Sequence, residues 1–133
     1  MTGIADVGGG YFQNARRLVD YERSLEEGRL PVERGNVLSA DDLLRRHVIT
    51  SIMCNFKVDA AEVGERFGID FWREFAPERE ALAPLAADGF VEVSEAGLRV
   101  TPHGRLFVRN VCMEFDPYLR RESPQGPRFS RTI

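Results

Sequence analysis

Cysteine, histidine, lysine and long apolar runs are all scarce in this chain, and each scarcity excludes something. The 133 residues include two cysteines, Cys54 and Cys112. Two thiols cannot make a disulfide scaffold, nor a Cys₄ cluster or zinc site supplied by one chain alone. The two histidines, His47 and His103, have no ligand-like spacing to either cysteine. No apolar stretch approaches the ~18–20 residues that a membrane-spanning helix needs, and the opening residues lack the basic-then-apolar plan of a secretory signal. A cytoplasmic chain with no membrane partner is therefore expected. Positive charge is also short. The formal net charge is −3, the wrong sign for a nucleic-acid-binding domain.

What is present is the balance of a soluble globular protein, 43% hydrophobic and 29% charged. The length is close to that of one domain of ~150 residues, enough for folding to bury roughly two-thirds of the unfolded surface. Charge is spread unevenly. From Pro117 to Ile133 four arginines (Arg120, Arg121, Arg128 and Arg131) stand against Glu122 alone. Every basic residue except Lys57 is an arginine, and arginine can grip a carboxylate bidentately where lysine acts as a point charge.

The pattern along the chain divides near Val37. Residues 1–14 are rich in glycine and look irregular; Asn14 is expected to cap a helix with Leu18, Tyr21 and Leu25 on one face, ended by Gly28. Arg29–Asn36 contains Pro31 and Gly35 and reads as a linker. Behind it, Ser39 with Asp42 three residues on makes an N-terminal cap, and the following helix lines up Leu44, Val48, Ile52 and Phe56. Asp59 with Glu62 repeats the signal for a short helix closed by Gly68. A third helical stretch from Phe71 is kinked or broken at Pro77 and Pro84 before Gly89. Phe90–Ser94 and Leu98–Thr101 alternate as strands, placing Val91 and Val93 opposite Leu98 and Val100 across a short Gly-containing connection. Thr101 and Pro102 start a last helix with a core stripe of Phe107, Val111 and Phe115. The class is mainly α with a small β-hairpin (α+β). Residues 37–133 have the order of a winged-helix domain with an irregular tail, preceded by a separate segment, 1–36.

A helix-turn-helix plan raises DNA binding, so the recognition helix is the first place to look. Asp70–Asp88 carries Asp70, Glu74, Glu78, Glu80 and Asp88 against Arg73 and Arg79, with no Asn, Gln, Ser or Thr to read base edges. It is a poor reader of DNA. Both cysteines fall in apolar helical patterns and are expected to be buried small hydrophobes. His47 is expected at the surface or cap side of its helix, and His103 to fill a turn. The run Gly8-Gly9-Gly10 lacks the Lys and Ser/Thr of a P-loop and suits a tight strand-to-helix connection. Arg105 and Arg109, at i and i+4, form a solvated face or a grip for an acidic substrate or partner.

Longer runs carry a resemblance. Asp41-Asp42-Leu43-Leu44-Arg45-Arg46-His47-Val48-Ile49 and Met53-Cys54-Asn55-Phe56 come first, then Arg66-Phe67-Gly68-Ile69-Asp70-Phe71 and Leu82-Ala83-Pro84-Leu85-Ala86-Ala87-Asp88-Gly89. Val100-Thr101-Pro102-His103-Gly104-Arg105-Leu106, Arg109-Asn110-Val111-Cys112-Met113, Phe115-Asp116-Pro117-Tyr118-Leu119-Arg120 and the terminal Arg128–Ile133 follow. In that order they resemble oxygen-independent coproporphyrinogen III oxidase over nearly the whole chain.

The resemblance implies the C-terminal part of a radical S-adenosylmethionine enzyme of haem biosynthesis. In that family a partial β/α barrel holds a [4Fe–4S] cluster on a CxxxCxxC motif. S-adenosylmethionine cleaved there starts the oxidative decarboxylation of two propionates of coproporphyrinogen III, giving protoporphyrinogen IX. The motif is absent from this sequence, so the chain alone carries no cofactor and is expected to be inactive, with the N-terminal barrel as its partner. Residues 37–133 would cover the barrel mouth and residues 1–36 would lead out of the barrel, Met1 standing before a segment from mid-protein as in a truncated form. Ile4-Ala5-Asp6-Val7-Gly8-Gly9-Gly10-Tyr11-Phe12-Gln13-Asn14 resembles an Ile-Ser-x-Ile-Gly-Asp-x-Tyr-x-Gln-Asn stretch, departing at Ala5, Asp6 and Gly9. Ile4 falls where the family places an isoleucine beside S-adenosylmethionine. On charge, Arg120, Arg121, Arg128 and Arg131 are candidates for the propionates. The competing expectation is a winged-helix module for DNA or a protein partner.

Overall fold

Glycine decides the first turn. In the computed structural model, which describes residues 3–121, Gly8 and Gly9 hold φ of 61° and 79°. Two successive left-handed residues make the type I′ turn that matches the twist of a hairpin. They join strand β1 (Ile4–Val7) to β2 (Gly10–Asn14), in register from Ile4↔Gln13 to Val7↔Gly10. The glycine run is thus a strand-to-strand turn, not the strand-to-helix connection expected. Asn14 ends β2, and helix α1 (Leu18–Glu26) starts behind Arg17 instead. Most of the expected linker is strand β3 (Val32–Val37), antiparallel to β2, so the sheet order is β1-β2-β3.

This sheet and α1 belong to a unit that ends at Leu43, and it has almost no interior. Between residues 3 and 43 only Gly10 and Pro31 are buried. Helix α1 buries none of its side chains, and Leu18, Val19 and Leu25 are 68%, 55% and 49% exposed. Burial of apolar area is the main force behind folding. Here little of it is spent.

The unit beginning at Leu44 is the opposite case: all fifteen buried hydrophobic side chains among the described residues belong to it. Helix α2 (Ala40–Asn55) opens on the expected cap. Ser39 Oγ accepts from the Asp42 amide, while Asp42 Oδ2 accepts from the Ser39 amide and hydroxyl, the reciprocal arrangement of a capping box. Leu44, Val48 and Ile52 form its buried stripe. Phe56 falls past the helix end with φ of 58° and only half-buried. The chain then makes a short strand, β4 (Lys57–Asp59), that the sequence pattern did not signal. Asp59 Oδ1 accepts from the Ala61 and Glu62 amides to cap α3 (Ala60–Phe67), which Gly68 ends at φ 69°.

Proline breaks the next stretch as expected, into α4 (Phe71–Glu74), α5 (Ala76–Ala81) and α6 (Ala83–Ala87). Strands β5 (Val91–Ser94) and β6 (Gly97–Val100) pair with Val91 opposite Val100 and Val93 opposite Leu98. β4 adds to the far edge of β6, so the hairpin becomes a three-stranded sheet of order β4-β6-β5. A 3₁₀ turn (Gly104–Phe107), α7 (Val108–Glu114) and α8 (Pro117–Arg121) follow. The fold is mixed, helices with small antiparallel sheets, as the α+β class requires. The last stripe is shorter than expected: Val111 and Phe115 are fully buried, but Phe107 is 40% exposed. No helix among the described residues is long and apolar enough to cross a membrane.

Candidate functional site

Ile4 sits on β1, opposite Gln13, with 69% of its surface exposed. Arg120 and Arg121 are the last two residues of α8, in the other unit. Arg128 and Arg131 lie outside the described residues. Among those described, no three His, Cys, Asp or Glu side chains gather as metal ligands. The two cysteines also differ more than expected. Cys112 is buried, with its thiol 3.8 Å from the Ile49 carbonyl, whereas Cys54 is exposed rather than a core residue. Burial, with a smaller contribution from neighbouring Cys54, pushes the Cys112 thiol from its ordinary 9.0 to about 11. It stays a neutral thiol at physiological pH. Two unlike thiols cannot supply a three-cysteine cluster motif.

The strongest polar feature of the interior is one the sequence pattern hid. Arg45 on α2 donates to Glu78 on α5 at 2.9 Å, with the side chains 14% and 5% exposed. Arg45 also donates to the Phe115 carbonyl at the end of α7, 3.2 Å away, and lies 5.2 Å from the centre of the Phe75 ring. Phe75 in turn meets Phe115 edge-on at 5.4 Å. Glu78 stands in sequence as one of five acids between Asp70 and Asp88, with nothing local to mark its partner 33 positions away. The pair ties α2, α5 and the end of α7 together. It thereby holds the end of α7, after which α8 follows.

The histidines also have neighbours. His47, expected at the surface or cap side of its helix, is half-buried, its ring 5.4 Å from that of Phe67. His103 occupies the turn expected of it and stacks on Phe90 at 5.3 Å and 29°. Phe90 also packs on Phe107 at 4.7 Å, and His103 meets Phe107 edge-on at 6.5 Å. The turn beneath these rings is clamped. Thr101 Oγ1 donates to the Gly89 carbonyl at 2.7 Å and accepts from the Gly104 amide at 3.0 Å. A Cβ at Gly104 would stand 1.9 Å from the Phe90 carbonyl oxygen, so only glycine lets the turn approach that closely. In the would-be recognition stretch, α4–α6, Trp72 Nε1 donates to the Ser94 carbonyl and Glu78 accepts from Arg45.

Geometry thus defines a class first, a cored α+β domain joined to a sheet-and-helix unit without a core. The particular family follows from comparison. The model of the HemN C-terminal domain matches residues 38–107, just over half of the chain. The chain belongs to that family. It is 41% identical over its whole length to oxygen-independent coproporphyrinogen III oxidase of Salmonella typhimurium, covering 29% of that protein. The Escherichia coli enzyme of the same name is also 41% identical with the same coverage, and that of Helicobacter pylori (strain ATCC 700392 / 26695) is 42% identical, with 28% covered. A solved structure of coproporphyrinogen III oxidase (HemN) from Escherichia coli, described as a radical SAM enzyme, superimposes with a TM-score of 0.84. That match is 42% identical and covers 86% of this chain and 26% of the other. The chain therefore spans less than a third of the length of these relatives.

Proposed function

We propose that the chain serves as the C-terminal, substrate-covering part of an enzyme that oxidatively decarboxylates coproporphyrinogen III to protoporphyrinogen IX by radical S-adenosylmethionine chemistry. The observation that carries this reading is the pairing of whole-chain identity to such enzymes with a first unit that has no interior of its own. An exposed helix face and an exposed β1 edge are the surfaces that the rest of a larger protein would cover. On this reading residues 1–36 lead out of the catalytic barrel and residues 37–133 form a winged-helix-like domain. The order α2, β4, α3, then β5–β6, with β4 joining the hairpin's sheet, supports that name.

Within the reading, Ile4 contributes an apolar contact to S-adenosylmethionine, and Arg120, Arg121, Arg128 and Arg131 attract substrate propionates. The [4Fe–4S] cluster and the reaction itself belong to the barrel, and this chain alone turns nothing over. Nucleic acid is not a partner.

The test is a chimera in which this chain replaces the corresponding C-terminal 29% of the Escherichia coli relative. Anaerobic protoporphyrinogen formation by the reconstituted chimera, and none by the relative lacking that part, is the expected result. A chimera that folds and binds its cluster but makes no product contradicts the reading.

A further inference from the structure

Leu106 is 85% exposed, the most exposed large hydrophobic residue among those described. It is not an isolated side chain. Next to it Phe107, 40% exposed, packs on Phe90, which carries the exposed His103 on another side. The three rings pack together, and with Leu106 beside Phe107 in the chain they present an apolar ledge on a turn that cannot easily move, because the Thr101 bonds and the Gly104 approach hold it against the end of α6 and the start of β5. An ordered apolar ledge facing water marks a contact site.

Its borders are cationic. Arg105 and Arg109, both exposed, flank Leu106 and Phe107 in the chain. Arg105 is placed by the Phe56 ring, 4.6 Å from its guanidinium carbon. Neither arginine joins an ion pair among the described residues, in contrast to Arg17, Arg45 and Arg79. A partner suited to this surface is flat or bowl-shaped, apolar in its middle and anionic at its edge. That is the chemistry of a tetrapyrrole with propionate arms.

We infer that this ledge is where the domain receives the tetrapyrrole. The macrocycle lies against Leu106 and Phe107, and Arg105 and Arg109 take propionates. The inference rests on the proposed function for its substrate class and adds four residues to it. Arg105 and Arg109 hold the carboxylates by charge-assisted bonds, for which the arginine fork is well shaped. His103 sits at the margin as a stacking group for the ledge and carries no chemistry.

The experiment needs neither barrel nor cluster. Coproporphyrin III, the stable oxidised tetracarboxylate, is titrated into the 133-residue chain and followed by its own fluorescence. Saturable binding is expected. The double variant Arg105→Gln/Arg109→Gln should weaken it about tenfold or more, as the loss of two solvated charge contacts would. Leu106→Glu should weaken it at least as much, while Lys57→Gln/Arg99→Gln on the β4–β6 surface should leave it unchanged. Thermal melts of each variant report folding, and all these side chains are exposed. The inference is overturned if the wild-type chain does not bind, or if the sheet-face variant loses as much affinity as the ledge variants. The chimera assay remains separate: an active chimera with no porphyrin binding at the ledge sinks this inference and leaves the proposed function standing.

Discussion

Replacing Glu78 with alanine should damage the cored unit severely. Its carboxylate is 5% exposed and holds Arg45, itself 14% exposed, at 2.9 Å. The glutamate's removal takes its 2.9 Å carboxylate contact from a guanidinium in a place where water compensates poorly. Breaking a buried pair in this way costs about 3–5 kcal/mol. Total stabilities lie near 5–15 kcal/mol, so the loss is a large share of what there is. For a unit of this size it corresponds to a Tm lower by roughly 12 °C or more. Urea unfolding of the whole chain, followed by Trp72 fluorescence, reads the change directly. Trp72 is the sole tryptophan and is buried in that unit. The double variant Arg45→Met/Glu78→Leu separates the pair's geometry from its charge. It should recover most of the loss, falling short by about 1 kcal/mol for the donor that the Phe115 carbonyl gives up. A Glu78→Ala cost below ~1 kcal/mol, or a double variant as unstable as the single one, would refute the reasoning.

Other consequences are simpler. Gly104→Ala should destabilise by roughly 1–3 kcal/mol, since its Cβ would meet the Phe90 carbonyl at 1.9 Å and the backbone must shift; a melt within a degree of wild type would contradict this. Iodoacetamide should modify exposed Cys54 in the native chain and reach Cys112 only on unfolding, as mass spectrometry of labelled peptides will report. Cys112 also gives a pH dependence. Its folded value is raised, so the folded state keeps a proton that the unfolded chain loses; the contribution is fully present below about 9 and is lost as pH rises towards about 11. A Cys112→Ser variant should flatten that alkaline slope in urea midpoints.

Much of the cored unit was legible because its signals are local. Ser39 and Asp42 lie three residues apart and cap each other; Asp59 and Gly68 bracket α3; Pro77 and Pro84 divide a helix wherever they stand. The opposed valines of β5–β6 follow from a short connection, which fixes register. The first unit was not legible for the same reason in reverse. β3 pairs with β2 across the whole of α1, and nothing in Val32-Glu33-Arg34-Gly35-Asn36-Val37 alternates clearly enough to announce it. With no core to bury, its strands have no hydrophobic face for a pattern to follow. Phe107 fits an apolar helical period but ends up on its outer side because a 3₁₀ turn shifts the phase, whereas Cys54, two residues past Ile52, falls on the face of α2 opposite its buried stripe. Of the candidate site, the arginines at i and i+4 were visible; the ledge between them was not. It depends on Phe90 and Phe107 meeting across 17 positions of chain.

On the proposed function, the unit ending at Leu43 takes its missing interior from the rest of a larger enzyme. Hydrogen exchange on the 133-residue chain and on the chimera with the Escherichia coli relative tests it directly. Amides of β1, β2 and β3 should exchange fast in the chain alone, become protected in the chimera, and contrast with α2 and β6, protected in both. Equal protection of β1–β3 in the two samples would contradict the account.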